Sequence, residues 1–388
     1  MPSGGRPVVF GEGRLTMATL RVDPVEDRSG LRAFVRFPET VYRADPNWVA
    51  PLRRDEEALL TPTNPFFDHA EARLFLARRD DVVVGRLAGI VDRWHLERWK
   101  DGTGLFGFFE AVDDPPVARA LFEAVREWLR GRGLGGMRGP FNPSTNDTCG
   151  VLVEGFELPP RIMMPYNPRY YPALLEGAGL RTTRDLFTYE VDTPAAMPPA
   201  IGRVAEMARS RGVRVRPLDL ARLPEELEQF RQVYNESWSA NWGFVPISER
   251  EVAWTAKQLK QVLVPDMALF AELEGRPVGF FLCLPDLNPA LRHLHGRITP
   301  WGLVRFLVAR RRVDMVRLVL LGVLPEHRRR GIEALLLARG WEAVHRLGYR
   351  GCEVGWILEE NAVTRQATDR WNARLVKKYR LYEAPIEA

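Results

Sequence analysis

The sequence predicts an α/β chain built from two similar halves, and three observations carry that prediction. Landmarks recur at one offset: Asn47-Trp48 and Asn241-Trp242, Gly85 and Gly279, Asp92 and Asp286, and Asn167 and Asn361 all lie 194 positions apart. A single dipeptide match means little, whereas one offset running through four landmarks marks an internal repeat. In both halves, apolar runs of strand length alternate with segments of helical period. Between the halves, Thr193-Pro194-Ala195-Ala196-Met197-Pro198-Pro199 has the proline content of a linker. The units are placed at about 17–193 and 205–388, with 194–204 joining them.

Length and composition agree. A chain of 388 residues with 46% hydrophobic and 27% charged residues is globular and can bury two cores. The formal charge of +5 and pI near 9.2 permit an anionic ligand or a membrane surface without demanding either. Cys149, Cys283 and Cys352 lie far apart, so neither a disulfide framework nor a zinc knuckle is expected. His293-x-His295 has no further ligands around it, and no metal is expected. No apolar stretch is long enough to span a bilayer, and the opening MPSGGRPVVFGEGRL lacks a signal-peptide core. The expected location is therefore the cytoplasm, with Met17 as an alternative start.

In chain order, Ala72 to Asp92 reads as two strands around a turn, and so does Met267 to Asp286. Further on the offset becomes 215, through Gly107 and Gly322, Gly133 and Gly348, and Gly136 and Gly351. Two insertions follow from the change, one within Pro143–Pro165 and one across 287–317. Helices are expected over Val117–Arg130 and Ile332–Arg346, each followed by a strand, a short helix and a last strand. Gly131-x-Gly133-x-x-Gly136 satisfies a dinucleotide fingerprint literally, but it follows a helix and precedes a strand, so it is a helix end and a turn.

The most informative stretch is Leu318 to Gly340, LVLLGVLPEHRRRGIEALLLARG. An apolar strand ends at Pro325, three arginines follow, and Gly331 opens a segment of helical spacing. The first N–H groups of a helix lack intrahelical partners and carry the positive end of its dipole, so such a turn cradles a diphosphate. Arg328-Arg329-Arg330-Gly331-Ile332-Glu333 resembles the R/Q-x-x-G-x-G/A pyrophosphate loop of the GNAT acyltransferases. Glu333 departs from the pattern, which has Gly or Ala there.

The resemblance implies two tandem GNAT-like domains, each a mixed central sheet flanked by helices, with acetyl-CoA or a longer acyl-CoA as co-substrate. It implies cofactor contacts from Gly322, Val323, Arg328, Arg329, Arg330, Gly331 and Ile332, and from Asn361 toward the pantetheine arm. Asn361 is also placed to be an ordinary helix N-cap. At the 215 offset, Asp113, Asp114, Pro115 and Pro116 replace the arginines and glycine, which removes counter-charge and N–H donors from the first half. Tandem GNAT proteins of this kind keep the cofactor in one half and shape the substrate groove with the other.

Amine acylation needs a group to take the amine's proton. The glutamate that GNAT enzymes often carry on the strand before the cofactor loop is missing from Leu318–Pro325. Glu359 and then Glu353 are the candidate bases, and Tyr379 or Tyr382 the candidate proton donor to the thiolate. Asn142, Asn146, Asn167 and Tyr170, in a polar loop, are candidates for holding a head group, though Asx and Pro residues also make turns for structural reasons. Trp238, Asn241 and Trp242, with Asn235 and Glu236, lie where the family's acceptor-side helices lie.

The later insertion holds PWGLVRFLVARRR, whose Trp301, Val304, Leu307 and Val308 share a helical face. Such a basic amphipathic helix serves a membrane interface or an anionic partner, or packs on its own domain as a lid. The double-GNAT layout with this flap resembles the bacterial ceramide synthase type, which implies a fatty acyl-CoA and a long-chain amine acceptor of the sphingolipid kind. The basic helix allows a peripheral position at the inner membrane face, and no nucleic acid partner is expected. Acetylation of a small amine or protein lysine, and acyl-CoA binding without turnover, are the alternatives.

Overall fold

The computed structural model describes residues 19–193 and 196–387; Met17, and Pro194 and Ala195 of the expected linker, lie outside them. Thirteen strands form one sheet. In the first half these are β1 (Leu20–Pro24), β2 (Ala70–Arg79), β3 (Val82–Asp92), β4 (Thr103–Ala111), β5 (Gly136–Gly139), β6 (Val151–Glu154) and β7 (Arg181–Asp192). The second half contributes β8 (Arg214–Pro217), β9 (Ala268–Leu273), β10 (Arg276–Pro285), β11 (Met315–Val323), β12 (Gly351–Leu358) and β13 (Arg374–Pro385). Helices of seven residues or more are α1 (Arg28–Arg36), α2 (Arg53–Leu59), α3 (Arg93–Trp99), α4 (Pro115–Arg130), α5 (Tyr171–Gly177), α6 (Pro199–Ser210), α7 (Leu223–Ser237), α8 (Glu249–Leu259), α9 (Pro300–Arg310), α10 (Ile332–Arg346) and α11 (Ala362–Asp369). Helix α6 begins inside the stretch read as linker, because a proline at the first helical position starts a helix as readily as it breaks one.

The strand order is β1-β2-β3-β4-β5-β13-β7-β12-β11-β10-β9-β8, with β6 also on β13. Each half's last strand is thus exchanged: β13 pairs antiparallel with β5 of the first half, and β7 with β12 of the second. These two twelve-residue strands pair with each other along most of their length and merge two repeats into one mixed sheet.

Alternation along the strands divides the core. Phe75, Ala77 and Leu87 face α4, whereas Leu76, Ala88 and Ile90 face α1. In the second half, Leu269, Ala271 and Phe281 face α10, whereas Phe270, Phe280 and Leu282 face α7 and the later insertion. Helices α4 and α10 therefore lie on one face, and both insertions on the other.

The insertions cross over. From the first, Ile162 N–H donates to Asp286 at 2.9 Å, Arg161 pairs with Asp286 at 3.2 Å, and Asn146 donates to Val245 O at 3.2 Å. From the second, Gly296 O accepts from Arg53 N–H at 3.1 Å. Both repeat aspartates anchor a cation beside the junction of the halves. Asp286 holds Arg161, while Asp92 caps α3 and accepts from His69 at 2.9 Å. His69 also reaches Glu251 of α8 at 3.4 Å and stacks on Trp94 at 4.0 Å. Burial works against its charge, but the hydrogen bonds to Asp92 and Glu251 outweigh that and hold the imidazole up at about 9.

Under the exchanged strands lies a buried ion pair, Glu353 on β12 with Lys377 on β13 at 2.9 Å, both side chains 1% exposed. Removing Lys377 leaves the buried Glu353 with only Arg161, 3.8 Å away, so Lys377→Met is expected to cost up to roughly 3–5 kcal/mol. Adding Glu353→Leu should recover most of it, as denaturant titration of the single and double variants would read. For His69, a folded pKa above the free value means that its stabilisation is complete below about pH 6.5 and is lost as pH rises through about 9. The Tm difference between wild type and Glu251→Gln should shrink across that window; a difference constant from about pH 6 to 10 would contradict the cross-half imidazolium.

Candidate active site

Strand β11 pairs with β10 from Val316 to Val323, across a bulge that skips Val319, but with β12 only from Met315 to Leu318. Beyond that point β12 bends at Gly355, whose φ of 145° and closeness to Phe187 O and Thr188 leave no room for a Cβ. Val319 to Val323 are consequently unpaired on the β12 side, and a cleft opens in the sheet.

An eight-residue connection, Leu324–Gly331, leads from this cleft to α10. Arg329 and Gly331 take positive φ, 61° and 84°. A Cβ on Gly331 would stand 2.7 Å from Val204 O of α6, so glycine is required by conformation and by contact. Helix α10 starts without a side-chain cap, and its first intrahelical bond is Leu335 N–H to Gly331 O at 3.0 Å. The N–H groups of Ile332, Glu333 and Ala334 precede that bond and have no hydrogen-bond partner among the described residues. Arg329 and Arg330 are exposed beside them. Arg328, read from the sequence as a third counter-charge, instead donates to Val323 O at 3.2 Å and to Ser237 O, tying the end of β11 to α7.

The first half closes the corresponding place with its own atoms. Phe108 N–H donates to Asn142 Oδ1 at 2.6 Å, Ala111 N–H donates to the Tyr171 hydroxyl at 3.0 Å, and Tyr170 O–H donates to Ala111 O at 2.9 Å. The strand edge is satisfied, and only Val112–Asp114 separate β4 from α4. Register corrects one equivalence: Gly85 faces Ala111 and Gly279 faces Val323, so Glu110, not Gly107, is the counterpart of Gly322. The 215 offset holds for the helix and for Gly133 and Gly348, which follow the two helices with positive φ.

Other expected site residues separate into two groups. Trp238 reaches the cleft, its ring lying where a Cβ on Gly322 would be, 2.3 Å away, and it stacks on Tyr234 at 4.9 Å. Glu359 is exposed at the end of β12, its N–H donating to Asp185 O at 3.0 Å. Asn361 caps α11, accepting from Thr364 N–H at 3.1 Å.

The rest are spent structurally. Glu353 is enclosed with Lys377, which corrects its reading as a base. Tyr379 is fully buried, and burial followed by the charge of Glu353 pushes its hydroxyl well above the usual range, which corrects its reading as a proton donor. Tyr382 is likewise buried, and burial holds it at about 12. Asn142 and Tyr170 close β4, Asn146 accepts from Tyr234 O–H at 2.7 Å, and Asn167 binds Leu152 N–H and O. Trp242 lies between the guanidinium groups of Arg138 and Arg184, at 5.3 and 5.2 Å, and Arg184 pairs in turn with Glu360 after β12 at 3.0 Å. Asn241 stands in the turn after α7, its O accepting from Phe244 N–H at 3.2 Å.

Two features were missed. A cavity of about 1450 Å³ lies between the halves, walled by Trp48, Glu110, Met163, Leu287 and Phe306 among others, above the few hundred to ~1,000 Å³ usual for ligand pockets. Met163 and Phe306 belong to the same apolar cluster as Val319 and Leu320, one layer from the cleft. Glu110 on its wall accepts from the Tyr42 hydroxyl at 2.8 Å and the Tyr171 hydroxyl at 2.5 Å, and burial holds it up at about 7. The signal was a lone carboxylate closing the apolar run Leu105–Ala111. Among the described residues no His, Cys, Asp or Glu group is arranged for a metal, and no helix is long and apolar enough to cross a membrane.

No family model matches the sequence. The bacterial ceramide synthase of Caulobacter vibrioides is 35% identical over 96% of this chain and 99% of that protein. Protein YghO of Escherichia coli is 35% identical over 93% of this chain and 94% of its own. Among solved structures, a tandem GNAT protein from the clavulanic acid biosynthesis pathway superposes with a TM-score of 0.56 at 12% identity, covering 95% of this chain and 99% of that one. A GCN5-related N-acetyltransferase from Sphaerobacter thermophilus gives 0.54 at 14% identity over 95% and 96%. Those two likenesses show the fold, with the central strands of each half arranged as a GNAT sheet. Full-length identity of 35% shows more: the chain belongs to the bacterial ceramide synthase family, as an N-acyltransferase of tandem GNAT fold.

Proposed function

We propose that this protein transfers a long acyl group from acyl-CoA to a long-chain amine, by direct attack of the amine on the thioester. One observation carries the reading: the cleft beside Val319–Val323 leads straight to the uncapped start of α10, while the first half fills its own cleft. Residues 205–388 then hold the cofactor, and residues 17–193 shape the acceptor side. The diphosphate rests on the free amides of Ile332 and Glu333 with Arg329 and Arg330 as counter-charge, and Arg328 fixes the strand end. Pantetheine lies along β11, and a backbone N–H near Val323 holds the thioester oxygen as it becomes an oxyanion. Asn361 marks the other lip of the cleft and Trp238 its floor.

The amine's lone pair forms the C–N bond as the C–S bond breaks, and the sulfur leaves as thiolate. The amine's proton goes to Glu359, directly or through water, since Glu353 is committed to Lys377. Glu110 is not that base: five strand spacings, roughly 24 Å, separate β4 from β11. Chain length is supported by the cavity, whose lining is mostly apolar but includes Arg53, Glu56, Arg86 and Glu110, and by the activity for which the Caulobacter relative is named.

Release of CoA thiol should depend on added long-chain amine and run at least tenfold faster with palmitoyl-CoA than with acetyl-CoA. Equal or preferred use of acetyl-CoA would favour acetylation of a small amine or lysine instead, and binding without thiol release would indicate a non-catalytic protein. Arg329→Ala with Arg330→Ala is expected to raise KM for acyl-CoA about tenfold with little change in kcat, and Asp113→Asn with Asp114→Asn to change neither. Glu359→Gln should lower kcat about 10²- to 10⁴-fold; an unchanged kcat would remove it from the mechanism.

A further inference from the structure

Helix α9 presents an apolar face that nothing among the described residues covers. Thr299 caps it, accepting from Gly302 N–H at 3.1 Å, and Pro300 stands at its first position. Gly302 and Phe306 turn inward, Phe306 onto the cavity. On the outer side Trp301 is 78% exposed, and Val304, Leu307 and Val308 are each about half exposed, with Ile298 at 67% just before the helix. Five large apolar side chains in one short segment form a patch rather than scattered surface residues.

Charge says what covers it. From Leu287 to Val313 there are six arginines, Arg292, Arg297, Arg305, Arg310, Arg311 and Arg312, and no aspartate or glutamate. None of the six joins a salt bridge among the described residues, although neighbouring exposed acids do pair with arginines, Asp266 with Arg346 and Asp314 with Arg350. Arg305 flanks the exposed stripe, and Arg310, Arg311 and Arg312 follow at its C-terminal end. An apolar ridge edged by guanidinium groups without carboxylate partners complements a surface with an apolar interior and an anionic rim. A second protein chain would have to supply both a groove and a ring of carboxylates; an anionic bilayer supplies both as a continuum.

We propose that α9 is a docking surface for an anionic lipid bilayer, lying in the interface with Trp301, Val304, Leu307 and Val308 among the acyl chains and the arginines at the phosphates. Ile298, Leu303, Phe306 and Arg310 line the cavity from the same segment, so docking sets the cavity's mouth against the lipid. That last step rests on the long-chain reading above; the docking itself does not.

Sedimentation with phosphatidylcholine vesicles, with and without phosphatidylglycerol and with no substrate added, tests it. Wild type should pellet at least tenfold more with the anionic vesicles, and Val304→Glu with Val308→Glu should lose at least tenfold of that at unchanged Tm, both positions being exposed. Arg311→Ala with Arg312→Ala should weaken binding severalfold and flatten its salt dependence. Binding indifferent to phosphatidylglycerol, or undiminished in the glutamate variant, overturns the proposal. So does a wild type that is dimeric without vesicles and monomeric in the variant, which would make the face a self-contact. Turnover of detergent-dispersed amine separates the questions: its absence in wild type refutes the long-chain reading whatever the vesicles show, and its retention in the glutamate variant is expected because neither valine lines the cavity.

Discussion

The exchange of β7 and β13 is the constraint on which the rest of this structure depends. A GNAT-like half that ended on its own last strand would leave an exposed edge at the centre of the molecule, and an open edge is a template for unwanted pairing. Here each last strand completes the other half, and the two pair with one another along the midline. Charged residues then have to pass through that midline. Glu353 and Lys377 are enclosed there, while Arg317 donates to Ile162 O, Met163 O and Gly355 O. Burying such groups is costly unless they are opposed by charge or hydrogen-bonded, and these partners favour one register of the exchanged strands against their neighbours.

Once the halves share a sheet, the same strand edge is resolved in two opposite ways. Backbone groups at the splayed end of a central strand need partners. The first half supplies Asn142, Tyr170 and Tyr171, with Glu110 accepting from Tyr171 on the cavity wall. At the matching position of the second half stands Gly322, with the flat ring of Trp238 against it. A glutamate with two tyrosines makes a plug; a glycine with an indole leaves a slot. The longer connection between β11 and α10, eight residues against three, gives the slot a helix start with unclaimed amides. Duplication supplied the frame, and these few side chains decide which copy is open.

Much of the frame was legible in the sequence because it is periodic. The 194 offset located the paired hairpins, and the apolar spacing located α10 to the residue. The exchange was not legible, since the alternation of Arg181–Asp192 and Arg374–Pro385 fits any antiparallel neighbour and names none. Gly107 was matched to Gly322 because both are glycines, yet they are small for different reasons: one gives way to Phe141 O, the other to Trp238. The asparagines of the polar loop, Asn142, Asn146 and Asn167, looked like a binding site, and their side chains proved to be pinned to backbone and to Tyr234. Polar residues that close a chain on itself and polar residues that await a ligand have the same composition; only the position of the partner tells them apart. The arginine turn was legible for the opposite reason, because glycine at a helix start beside clustered cations fits few purposes.

The sheet also separates two chemistries that an acyl-CoA combines in one molecule. The cationic turn and α10 lie on the face shared with α4, and the cavity, both insertions and α9 lie on the other. The matching splay between β4 and β5 is filled by Asn142 and Tyr171, so the splay between β11 and β12 is where the sheet can be crossed. On the proposed reading the diphosphate stays with the guanidinium groups, the pantetheine arm threads the splay, and the thioester emerges where apolar walls begin. A short acyl group would end in the slot and leave the cavity unused, whereas a long one continues past Val319 and Leu320 toward Met163 and Phe306. Segregating charge from hydrocarbon by one thickness of sheet lets the reacting carbonyl sit at the boundary, with backbone donors on β11 and little water on the acyl side.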